Sequence, residues 1–166
     1  MSFSKEEITK KLTFDQLLDE VGLEVDGKVT LAQKREILEE IGDYIRDTML
    51  DFITEGKSPV TARKFKRLST PYSDDMKGGD RTADMQLEGD MLDALDFKVK
   101  KDYLEIGWFD SDQAAKAFGH TTGMEGHPWL EGKTPVRKLI PDEKGFFAAE
   151  IRDGIADIIE DIINAD

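Results

Sequence analysis

Cysteine is absent from this chain of 166 residues. That excludes disulfide scaffolds, thiolate zinc sites, iron–sulfur clusters and cysteine nucleophiles, and leaves packing as the source of stability. Histidine occurs only twice, as His120 and His127. Long apolar runs are missing as well: none exceeds four residues, against the ~20 needed to cross a bilayer, so a soluble protein is expected. No basic segment followed by an apolar stretch opens the sequence, and a secretory signal is not expected. Glycine and proline, at 14 and 5 residues, are too few for collagen-like or low-complexity chains.

What the sequence has in quantity is charge. Acidic residues number 36 against 23 basic ones, a net charge of −13, which argues against a protein whose main task is gripping nucleic-acid phosphates. The balance is uneven. Residues 1–56 hold 7 basic and 14 acidic groups, residues 57–110 hold 10 and 11, and residues 111–166 hold 6 and 11. Acidic ends therefore flank a nearly neutral middle, and such a field keeps subunits soluble and repels DNA wherever it faces inward. The length fits one domain, or one domain with an arm, and the 39% hydrophobic content suffices for one modest core.

Two helix starts are of the same kind. Thr13-Phe14-Asp15-Gln16 and Thr30-Leu31-Ala32-Gln33 both fit the capping box, in which threonine and glutamine side chains satisfy each other's backbone N–H groups. The first helix should end near Gly22, with a small extended link or hairpin over Leu23–Val29 around Asp26-Gly27. The second should run from about Leu31 to Glu55 and stop at Gly56, because Leu38, Ile41, Ile45, Met49 and Phe52 form one apolar stripe. At ~1.5 Å per residue it is long for so small a domain. A β-hairpin is expected next, with Leu95, Phe97 and Val99 in one strand and Ile106 and Trp108 in the other, around Lys100-Lys101-Asp102. A short helix over 113–118, capped by Ser111 and Asp112 and closed by Gly119, a strand over 136–140, and a final helix from about Gly145 to Ile163 complete the layout. The expected fold class is α+β: a small antiparallel sheet, a long helix packed on it, a C-terminal helix, and an N-terminal helical arm over residues 1–29 preceding a single domain over residues 30–166.

Catalytic signatures are not found. Gly132-Lys133-Thr134 looks like the end of a phosphate-binding loop, yet His127 stands where that loop needs glycine and Pro135 blocks the helix it must open. Asp74, Asp75, Asp80 and Asp84 lack the spacing, central glycine and closing glutamate of a calcium loop. His120 and His127, with Glu125 or Glu131, could meet one metal, but loop histidines facing solvent or packing are the simpler reading. No catalytic residue, metal ligand or cofactor is assigned, and the chain is not expected to be an enzyme.

Two stretches are instead candidates for contact with a partner. Residues 57–67 hold Lys57, Arg63, Lys64, Lys66 and Arg67 with no acid. They would meet either DNA phosphate or the acids of an adjacent subunit, the alternative being a solvated strand edge whose lysines block pairing. Met124, His127, Pro128, Trp129 and Leu130 form an apolar cluster in a glycine-rich loop, costly to expose without a partner unless it folds back on the core.

A family likeness runs through Gly56-Lys57-Ser58-Pro59-Val60-Thr61-Ala62-Arg63-Lys64-Phe65-Lys66-Arg67-Leu68, on to Gly89-Asp90-Met91-Leu92, and again through Ala114-Ala115-Lys116-Ala117-Phe118-Gly119 and Pro135-Val136-Arg137-Lys138-Leu139-Ile140-Pro141. This order resembles the small neck or tail-completion proteins of tailed bacteriophages, also described as head–tail joining or virion morphogenesis proteins. The resemblance implies a structural virion subunit, made in the bacterial host cytoplasm. It would form a homo-oligomeric ring, often six-fold, between portal or adaptor and tail-terminator rings, and double-stranded DNA would pass through without specific binding. A tail-terminator or head-closure ring is the alternative within the same class. An acidic cellular interaction module or a metal-dependent enzyme is less favoured.

Overall fold

The computed structural model describes residues 8–25, 29–65, 89–122, 137–142 and 144–164. Three strands form one antiparallel sheet in the order β1-β3-β2. These are β1 (Ile8–Thr13), β2 (Leu95–Lys100) and β3 (Tyr103–Trp108). Around them lie α1 (Phe14–Val21), α2 (Leu31–Thr54), α3 (Gly89–Asp93), α4 (Ser111–Thr122) and α5 (Ala149–Ile163). The protein is thus α+β.

Both expected capping boxes are formed. Thr13 accepts from the Gln16 N–H at 3.1 Å while the Gln16 side chain accepts from the Thr13 N–H at 2.9 Å. Thr30 and Gln33 repeat the arrangement at the start of α2. Each of these helices also closes on glycine in the left-handed conformation, Gly22 at φ 70° and Gly56 at φ 79°. Paired bonds from Gly22 and Leu23 to Asp19 and Leu18, and from Gly56 and Lys57 to Ile53 and Phe52, make two Schellman closures.

Helix α2 packs against both the sheet and α5. Its residues Leu38, Ile41, Ile45 and Met49 are fully buried, and the stripe continues through Phe52. Two glycines set the depth of this packing. A Cβ on Gly42 would run into the Phe97 ring of β2, and one on Gly154 of α5 would run into the Tyr44 hydroxyl of α2. The sheet and α5 therefore both approach α2 at places where there is no side chain. Ile151, Ile155 and Ile159 of α5 are buried in the shared core, with Ile158 and Ile162 at its margin.

The N-terminus departs from expectation. In place of an arm over residues 1–29, β1 pairs with β3 along its length, from Ile8 opposite Trp108 to Thr13 opposite Tyr103. Ile8, Leu12, Phe14 and Leu17 are core residues. Burial alternates along the six residues Ile8 to Thr13, but Lys10 stands at one of the inward positions and Lys11 follows it, so the sequence itself shows no apolar–polar alternation to stand out. Lys10 shares the side of Ile8 and Leu12 yet is satisfied there, donating to the Asp142 carbonyl at 2.7 Å and the Gly145 carbonyl at 2.9 Å. Close pairing of β1 also depends on Gly107 at φ 148°, where a Cβ would overlap the Ile8 carbonyl oxygen.

Smaller corrections concern the second half. α4 continues through Gly119 to Thr122, because burial of Phe118 and Thr121 outweighs the ~1 kcal/mol cost of a helical glycine. Its first N–H groups bond to Asp110, which accepts from Asp112 at 2.8 Å and Gln113 at 3.3 Å. No strand forms over the described residues 137–140. Their N–H groups turn to the end of α4 instead, Arg137 to the His120 carbonyl and Leu139 to the Thr121 hydroxyl. α5 begins at Ala149, four residues later than expected, since Phe146, Phe147 and Ala148 enter the core ahead of the helix. The expected link over Leu23–Val29 lies partly outside the described residues, and Asp74, Asp75, Asp80 and Asp84 wholly so.

Deleting residues 1–13 removes a strand and its core side chains, so the truncated protein should lose its cooperative melt by circular dichroism; an unchanged midpoint would restore the arm reading. Gly107→Ala should cost at least ~2 kcal/mol in urea denaturation, since both overlap and a disfavoured φ oppose it.

Candidate subunit interface

The basic run begins where α2 ends. Gly56 turns the chain out of the helix, and residues 57–64 then close on themselves, with an isolated antiparallel bridge between Lys57 and Lys64. The Ser58 N–H donates to the Arg63 carbonyl at 2.9 Å, Ala62 to Ser58 at 2.8 Å and Phe65 to Gly56 at 2.7 Å. Ala62 sits at φ 62°, a left-handed conformation that costs a non-glycine residue about 1 kcal/mol and persists where the surroundings hold it.

Ser58 is what holds it. Its side chain is buried; the hydroxyl donates to the Lys138 carbonyl at 2.7 Å and accepts from the N–H groups of Val60 at 3.1 Å and Thr61 at 3.2 Å. A further strut joins the Ala148 N–H to the Pro59 carbonyl at 2.8 Å. Over its described part, residues 57–65, the run is a braced turn tied to two segments far along the chain. Arg63 and Lys64 are exposed, Lys57 is half-buried, and the exposed Lys138 is brought to the same turn. Lys57 reaches Glu55 at 3.8 Å, an exposed pair worth less than ~1 kcal/mol. Arg67, and the whole cluster Met124, His127, Pro128, Trp129 and Leu130, lie outside the described residues.

A second feature has no counterpart among the candidates read from the sequence. A groove of about 630 Å³ runs along the outer edge of β2. Arg46 and Leu50 of α2, Leu92 and Asp93 of α3, Leu95 of β2, and Phe109 and Asp110 just after β3 line it. Arg46 is surrounded by carboxylates, at 2.8 Å from Asp43, 3.6 Å from Asp47 and 3.7 Å from Asp96. Its guanidinium also lies 5.2 Å from the Phe97 ring centre, and the Lys98 ammonium lies 4.2 Å from that of Phe109. Both of these cations are thus engaged by their own chain. Asp96 performs a further task by accepting from the Phe97 N–H at 2.8 Å. The sequence signal available was the string of aspartates at 93, 96 and 110 around the hairpin, but nothing local revealed that α2 would bring Arg46 and two more acids beside them.

Among the described residues, no group of three or more His, Asp or Glu side chains is placed to hold a metal ion. His120 is half-buried on α4, and His127 lies outside the described residues. Comparison with known proteins found no matching family model, no matching curated protein and no matching solved structure.

Ser58→Ala should loosen the turn. It leaves one carbonyl and two N–H groups without their partner in a part-buried place, which costs ~1 kcal/mol in denaturation. Hydrogen exchange of the Val60 and Thr61 amides should accelerate more than that of the sheet; equal acceleration everywhere would mean that Ser58 braces no separate unit.

Proposed function

We propose that this protein is a structural ring subunit of a tailed-phage neck, joining head to tail around the DNA channel and working by geometry, without chemistry on a small molecule. The carrying observation is the braced basic turn on a strongly acidic subunit. A braced turn backbone pays no ordering cost on docking, leaving only that of the cationic side chains, and electrostatic complementarity then selects partner and register. A subunit with a net charge of −13 repels its copies at long range, so self-association needs a local reversal of sign, which this turn supplies. The likeness to neck and tail-completion proteins in residues 56–68 and 114–141 supports the same assignment.

An acidic inner wall suits the same role, because phosphate contacts that bind tightly would halt DNA passage. On this reading Lys57, Arg63 and Lys64 face a neighbouring subunit and the DNA meets acidic surface.

Light scattering of the purified protein across concentration should give a discrete oligomer larger than a dimer. The oligomer should dissociate as salt is raised, since the Debye length falls from ~10 Å at 0.1 M to ~3 Å at 1 M. The double variant Arg63→Glu, Lys64→Glu should remain monomeric with an unaltered thermal midpoint, because both side chains are exposed. Normal assembly by that variant would reduce the turn to a solvated surface.

A further inference from the structure

A ring built through the basic turn requires a surface that receives it, and the identity of that surface rests on the ring function proposed for this chain. We infer that the acceptor is the groove along the β2 edge, and that its occupant is the Lys57–Lys64 turn of a second copy of this chain.

The charges match. Lining the groove are Asp93, Asp96 and Asp110 against Arg46 and Lys98, and Asp43 and Asp47 draw on Arg46 from outside the lining, so these seven groups together carry a local excess of three negative charges. The turn offers Lys57, Arg63 and Lys64, three positive charges whose one ion pair among the described residues is the long contact of Lys57 with Glu55. Arg46 is already shared among three aspartates and Lys98 is held over Phe109. Neither is free to cancel the remaining carboxylates, and an incoming cation is.

Shape and backbone point the same way. Part of the lining is apolar, since buried Leu92 and Leu95 contribute to it beside exposed Asp93 and Asp96. Aliphatic stems of lysine and arginine can cover such apolar surface while their heads reach the acids. The other occupant that a free strand edge invites is an added strand. Here the Phe97 N–H is closed by the Asp96 carboxylate, so the edge is blunted against strand addition. The groove is left to side chains presented by a compact turn.

Two half-disabled variants test this contact directly. One carries Arg63→Glu and Lys64→Glu, which spoil the turn. The other carries Asp93→Asn and Asp96→Asn, which remove two groove charges without creating a cation for the glutamates of the first variant, while the asparagine amide at 96 still offers an oxygen to the Phe97 N–H. Each alone should associate at least ~10-fold more weakly than the parent. Mixed in equal amounts, they should form a one-to-one dimer by analytical ultracentrifugation, because one intact turn meets one intact groove and no second contact remains. That recovery also shows both variants to be folded.

If the groove variant assembles as tightly as the parent, or if the folded pair recovers nothing on mixing, the groove assignment is overturned while the ring function stands. A parent that stops at a dimer, with both variants monomeric, keeps the docking contact and overturns the ring. A parent that is monomeric at every concentration and salt overturns both.

Discussion

Strand β3 is the member on which the other elements depend. It lies between a strand from the N-terminus and its own hairpin partner, and its residues from Leu104 to Trp108 are buried. Closing β1 onto it joins parts of the chain remote in sequence, a costly loop closure that the core of Ile8, Leu12, Leu104 and Ile106 must offset. Once β1 is fixed, α1 follows directly at Thr13 and lies against α5, while α2 crosses the sheet over Phe97. Trp108 locks the far end by donating its indole N–H to the Met91 carbonyl at 2.6 Å, which sets α3 and thereby part of the groove lining. Gly107 is what permits this arrangement, since any side chain there would push β1 away.

That construction places both contact surfaces on stiff supports. The groove is walled by α2 and the sheet edge, and the turn leaves α2 at its C-terminal closure. Each is anchored by parts of the chain distant in sequence: the turn by Lys138 and Ala148, the groove by Arg46 and Asp110. On the proposed contact, a rigid donor and a rigid acceptor on one core would give a fixed angle between successive copies. A fixed angle is what separates a closed ring from a disordered chain of subunits.

Much of this fold was legible in the sequence where the signals were local. Two capping boxes, two glycine stops, one apolar stripe and an alternating hairpin each depend on residues within a few positions, and each formed as read. The failures share a different cause. The strand Ile8–Thr13 carries Lys10 and Lys11 and is recognisable only from its pairing with β3. The segment 137–140 reads as a strand, yet its N–H groups find their acceptors at the end of α4. Gly42 and Gly154 look like weak points in helices until Phe97 and Tyr44 are seen lying over them. Of the contact residues, Lys57, Arg63 and Lys64 were visible as an acid-free run, whereas the role of Ser58 depends on the carbonyl of Lys138, far along the chain.

Charge in this protein also acts through long-range structure. Net charge, taken alone, predicts only repulsion between copies and between protein and DNA. On the proposed contact, what would turn repulsion into selective docking is that the fold separates the signs: it gathers three cations into a turn held by backbone hydrogen bonds, and it shares Arg46 among three aspartates, so that one cation does not neutralise all the acids around it. Removing the brace at Ser58 would leave the charges unchanged and blur their positions, and removing Arg46 would make the groove more acidic but less defined. On that proposal, affinity between copies would be governed less by how many charges face one another than by how firmly each set is held before they meet.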